Sequence, residues 1–80
     1  MDVYLVERYA TGLTPASLRA AGSRVAAACS GTYLGSVLVR GDEGALCLFR
    51  APSLTAVEQA ARQEGTLYER VVAVELVGFA

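Results

Sequence analysis

The fold class this sequence predicts is α+β: a ferredoxin-like sandwich of order βαββαβ, in which two helices lie on one face of a four-stranded antiparallel sheet. Three observations predict it. Two stretches carry helix-start chemistry, TPASL at Thr14 and PSL at Pro52. The glycine-flanked turn GDEG, Gly41 to Gly44, joins two apolar runs. Further runs rich in β-forming residues open and close the chain. Two right-handed βα crossovers joined by a hairpin then give the sandwich as one domain over residues 1–80.

The first run, DVYLVER from Asp2 to Arg8, sets Val3 and Leu5 on one side of a strand and Tyr4 and Val6 on the other, so it reads as buried on both faces. Thr14 is placed to cap the first helix, with Pro15 at its first position and Leu13 spaced to contact Leu18. Leu18, Ala21, Gly22, Val25, Ala28 and Cys29 recur at helical steps as an apolar stripe opposite Arg19 and Arg24, and Gly31 supplies a stop. In TYLGSVLVR, strict alternation sets Tyr33, Gly35, Val37 and Val39 against Leu34, Ser36 and Leu38. The glycines of GDEG are expected to take left-handed backbone angles, and ALCLFR returns as the third strand. Pro52 ends it, and Ser53 caps a second helix with Leu54, Val57 and Ala61 on one face and Glu58 and Arg62 as an exposed i,i+4 pair. Gly65 stops that helix, and RVVAVELV, Arg70 to Val77, is the final strand.

Composition narrows the function. Hydrophobic residues make up 54% of the chain and charged residues 19%, which excludes a disordered tail. Apolar runs are too short to span a membrane, the start lacks the order of a secretion signal, and a cytoplasmic location is expected. The seven arginines are scattered and balanced by eight acids, so no basic patch marks a nucleic-acid partner. The chain contains no histidine and no lysine. Proton transfer would therefore fall to Glu, Asp, Tyr or Cys.

Both sheet faces read as apolar, whichever phase each strand takes. About ten side chains on the face without helices would expose on the order of 600 to 1000 Å², more than monomers usually tolerate. A second copy is expected over that face.

Read together, YLVER, the GLTP helix start, Ser36, the turn CLFRAPS, and Gly65 followed by VV resemble a bacterial family of unknown function typified by a small nickel-binding ferredoxin-like protein. The resemblance implies a homodimeric α+β barrel, similar in build to the muconolactone isomerase and antibiotic-biosynthesis monooxygenase groups, with a cleft between sheet and helices. Glu7 and Cys47 match the family pattern. Ala60 stands where the pattern has histidine and Leu67 where it has proline. Nickel favours imidazole and thiolate donors over a lone carboxylate, so no metal site and no cofactor are assigned.

The candidate residues each carry two readings. Glu7, ending an apolar strand, is either paired with an arginine at the sheet edge or lines the cleft as a general acid or base. Cys47 belongs to no CxxC or Cys/His cluster, and is either core packing or a thiol on the cleft floor with Phe49. Tyr4, Tyr33 and Tyr68 either wall a pocket for a flat ligand or belong to the core, and Ser36 meets either a backbone group or a ligand oxygen. The leading reading is a homodimer that binds a small, largely apolar molecule in the cleft, with isomerase- or cyclase-type proton transfer as its catalytic form. A metal-binding protein of the nickel type and a non-catalytic interaction module are the alternatives.

Overall fold

The computed structural model describes residues 1–79 and has the expected element order. Strand β1 (Asp2–Tyr9) leads to helix α1 (Pro15–Ala28), followed by β2 (Thr32–Val39), β3 (Gly44–Ala51), helix α2 (Leu54–Gln63) and β4 (Arg70–Val74). The strands form one antiparallel sheet in the order β2-β3-β1-β4. The fold is the ferredoxin-like α+β sandwich.

Both helix starts form as their sequences dictate. The Thr14 hydroxyl accepts from the Ser17 amide at 3.1 Å, while the Ser17 hydroxyl accepts from the Thr14 amide at 3.0 Å, a reciprocal box that satisfies two orphan donors. The Ser53 hydroxyl accepts from the Ala56 amide at 3.1 Å. The helix ends differ from each other. Gly65 is left-handed (φ 69°) and closes α2 as expected, but at the end of α1 the left-handed residue is Ser30 (φ 56°). Gly31 is needed for a different reason: a Cβ there would sit 2.5 Å from the Arg50 carbonyl oxygen. In the β2–β3 turn, a short 3₁₀ segment (Arg40–Asp42) is followed by Glu43 at φ 49°, so the left-handed angle falls on an acid and not on a glycine.

The core lies between the helices and one sheet face. Tyr4, Val6, Cys47, Phe49, Ala51 and Val71 meet Leu18, Val25, Val57 and Ala60. On α1 the buried stripe includes Ala26, and Ala28 is exposed. On α2, Glu58 forms no ion pair with Arg62; the Arg62 guanidinium instead stands 5.9 Å over the Tyr68 ring.

The last strand stops three residues earlier than the sequence pattern suggested. Val74 pairs with Val3, so the next step would set Glu75 opposite Asp2, two acids face to face, at the very start of β1. Beyond Val74 the chain leaves the ladder, and Leu76 and Phe79 lie with Leu48 and Arg50 along the face without helices. Leu48 is thereby only 9% exposed. Val3, Leu5, Leu46, Val72 and Val74 on that face remain half-buried. No helix among the described residues is long and apolar enough to cross a membrane.

Candidate functional site

One irregularity in β2 builds the site. Tyr33 pairs with Phe49 and Gly35 with Leu48, so two steps along β2 match one along β3 and Leu34 is an extra residue. The inserted residue inverts the alternation read from the sequence. Tyr33 comes to share the helix-facing side with Ser36 and Leu38, opposite Phe49, Cys47 and Ala45, while Gly35 and Val37 turn to the other side. Gly35 itself adopts φ 139°, an angle that side chains rarely allow.

Tyr33 and Ser36, brought together this way, begin a chain of polar contacts. The Tyr33 Oη and Ser36 Oγ are 2.5 Å apart, and the Ser36 hydroxyl donates to Cys47 Sγ at 3.0 Å. The Tyr33 ring is held between Phe49, at 5.6 Å between centroids and 44° between planes, and the bare backbone of Gly22 on α1. Cys47 is 3% exposed, and burial pushes its thiol above the ordinary range, against smaller opposing effects of the Ser36 hydrogen bond and the Arg8 charge. The thiol therefore keeps its proton at neutral pH.

Beside this chain is a depression of about 310 Å³ between the first turns of α1 and the β2 edge, lined by Pro15, Leu18, Arg19, Tyr33, Gly35, Ser36 and Leu38. Its walls are mostly apolar, with two hydroxyls and one guanidinium. The seam directly between sheet and helices is different. Val6, Val25, Cys47, Phe49 and Ala61 close it to a void of about 10 Å³, hardly enough for one water.

These positions divide the sequence-predicted residues. Tyr33 and Ser36 lie on the open depression. Tyr4, Cys47 and Phe49 are core residues, and Cys47 reaches the depression only through Ser36. Tyr68 packs against the core with its hydroxyl buried and unpartnered among the described residues. Glu7 does not line the cleft. It shares the helix-free face with Val3 and Leu5, opposite Arg70 in the β1–β4 register, and its Oε2 is 3.3 Å from Arg70 Nε. Of its two readings, the structure contains the edge ion pair. Three contributors were missed from the sequence: Arg19, assigned to the polar side of α1; Gly22, read only as part of the stripe; and Arg8, whose Nε donates to the Leu67 carbonyl at 3.0 Å on the helix side. The alternation that puts Arg8 in phase with Tyr4 and Val6 was the available signal for the last of these.

A ferredoxin-like α+β sandwich with a groove at one sheet edge is the class that this fold and site define. Within that class, the chain belongs to the family described as nickel responsive protein SCO4226-like, whose model matches residues 4–74. It is also similar to the crystal structure of SCO4226 from Streptomyces coelicolor A3(2), with 18% identity over 95% of this chain and 99% of that one and a TM-score of 0.76. At that identity the likeness shows the fold. No curated protein matches the chain.

The family's description raises nickel, and the donor chemistry of this chain can be tested against it. Among the described residues no three His, Cys, Asp or Glu side chains converge. Both cysteines are buried, and Cys29 Sγ is turned to the Ala26 carbonyl at 3.6 Å. A borderline-soft cation preferring imidazole and thiolate finds neither in an accessible cluster of one chain. The residues do not fit a nickel site.

Proposed function

We propose that this protein is a cytoplasmic, homodimeric binding protein for a small, largely apolar molecule, seated at the α1–β2 groove and not in the seam between sheet and helices. The observation that carries this reading is the groove itself: about 310 Å³ of mostly apolar wall with Tyr33 and Ser36 lining its β2 side, in a domain whose inner seam is filled. Binding without turnover is the form favoured. Glu7 is on the opposite face in an ion pair, and the groove lining contains no carboxylate to act as acid or base.

The test is an amide NMR titration of the whole chain with a neutral apolar probe, 4-phenylbutanol. Shifts gathered on Leu18, Tyr33, Gly35 and Leu38 are expected, and shifts absent or scattered over the surface would refute the reading. Chelator-treated protein should bind no nickel at micromolar concentration; saturable binding would turn the reading toward metal.

The dimer uses the helix-free face. Its support is the half-buried apolar row of Val3, Leu5, Leu46, Val72 and Val74 on that face, with exposed Val37 at 48% beside it and Phe79 at 66% and Val77 at 80% on the adjoining tail. Sedimentation at micromolar concentration should give a dimer, and Val37→Glu a monomer. A wild-type monomer would sink this part of the proposal.

A further inference from the structure

The groove's polar equipment is one-sided. Of the side chains lining it, Arg19 is the sole charge, and it forms no ion pair among the described residues, whose pairs are Arg24–Glu64 and Arg70–Glu7. Arg19 stands on the same wall as Leu18, one residue on, so a ligand lying along the apolar surface would bring its polar end to the guanidinium. The opposite wall offers the Tyr33 phenol, within 2.5 Å of Ser36 Oγ.

The hydroxyl arithmetic decides what the phenol can present. Ser36 has one proton. While Ser36 donates it to Cys47 Sγ, the phenol must donate to Ser36, and only its oxygen lone pairs are free for a ligand. The row can also run the other way: the Cys47 S–H donates to Ser36, Ser36 donates to the phenol oxygen, and the phenol O–H turns to the groove. Reversal requires a proton on sulfur, and the burial of Cys47 keeps one there. An acceptor-only ligand group can therefore be met by donors from both walls, and every hydroxyl in the row keeps a partner.

We propose that the groove takes a small organic carboxylate with an apolar body, its carboxylate held by the Arg19 guanidinium and the Tyr33 phenol, with Ser36 and Cys47 as the reversible hydrogen-bond row behind the phenol. The inference rests on the groove reading above and adds the charge of the ligand. An ammonium group is disfavoured because the lining contains no anion.

The experiment compares three probes of one shape, 4-phenylbutyrate, 4-phenylbutanol and 4-phenylbutylamine, by amide NMR titration of the full chain at neutral pH. The acid is expected to bind about tenfold more tightly than the alcohol, the cost of one lost charge-assisted hydrogen bond, and the amine more weakly than either. Arg19→Gln, an exposed change that leaves the core intact, should erase the preference for acid over alcohol. Tyr33→Phe should weaken the acid more than the alcohol. Equal affinity for acid and alcohol, or a preference that survives Arg19→Gln, overturns the carboxylate inference and leaves the groove standing. If none of the probes shifts the groove residues, both readings fall.

Discussion

Replacing Gly22 with alanine sets two opposed effects against each other inside one helix. In the middle of α1, alanine is favoured over glycine by about 1 kcal/mol because it loses less backbone freedom on folding. The added Cβ, however, would stand 2.5 Å from Tyr33 Cε1, 2.6 Å from Cδ1 and 2.8 Å from Cζ. Ordinary carbon contacts lie near 3.5 to 4.0 Å, so the ring must move by about 1 Å. It has little freedom to do so, with Phe49 beside it and its hydroxyl fixed to Ser36. Overpacking of this kind costs about 1 to 3 kcal/mol, and loss of the Tyr33–Ser36 hydrogen bond adds about 1 kcal/mol. The net expectation is destabilisation by about 1 to 3 kcal/mol, which in a domain of this size lowers Tm by roughly 4 to 24 °C. Urea unfolding of Gly22→Ala, Tyr33→Ala and the double variant closes a thermodynamic cycle. With the ring removed, the alanine should stabilise. A Gly22→Ala protein more stable than wild type in the presence of Tyr33 would refute the reasoning, since the ring would then have room that the structure denies it.

Gly31→Ala should be worse tolerated, because its Cβ would meet a backbone oxygen, that of Arg50, at 2.5 Å; a loss of about 3 kcal/mol is expected in denaturant unfolding, and a loss below about 0.5 kcal/mol would contradict the close approach. Thr14→Ala removes one half of the reciprocal cap and should cost about 1 kcal/mol by the same measurement, with unchanged stability counting against the cap. Glu7→Gln should cost less than about 1 kcal/mol, since its partner Arg70 is largely in solvent; a loss above 2 kcal/mol would mean that the carboxylate does more than pair at an edge. The Cys47 thiol is pushed up on folding, so its contribution is complete below the unfolded thiol's pKa of about 8.5 and is lost as pH rises from there through the folded value. Between pH 8 and 10 wild type should therefore lose stability faster than Cys47→Val, by at most about 1.4 kcal/mol per pH unit, and parallel curves would show that the buried thiol does not resist ionisation.

Local chemistry made some of this molecule readable and left other parts closed. The starts of α1 and α2 could be read because a capping hydroxyl acts within three residues, and the element order followed from them together with the GDEG turn. The side of the sheet facing the helices could not be read, because Val3 and Leu5 are as apolar as Tyr4 and Val6; burial patterns distinguish faces only when the faces differ. Glu7 and Arg70 are 63 positions apart, and their pairing depends on a register between β1 and β4 that no local pattern encodes. The site was half visible. Tyr33 and Ser36 were identified singly, but alternation placed them on opposite faces, and only the extra residue at Leu34 unites them. Gly35 was the available signal, since a glycine inside a strand often marks such an irregularity.

The same extra residue affects how copies of this chain can meet. Strand β2 is an outer strand with an unpaired row of amides and carbonyls, a ready template for endless lateral growth. At Leu34 the spacing of that row is broken, so an incoming strand could not stay in step along the whole of β2. Edge-to-edge stacking, the route to fibrils, is thereby discouraged.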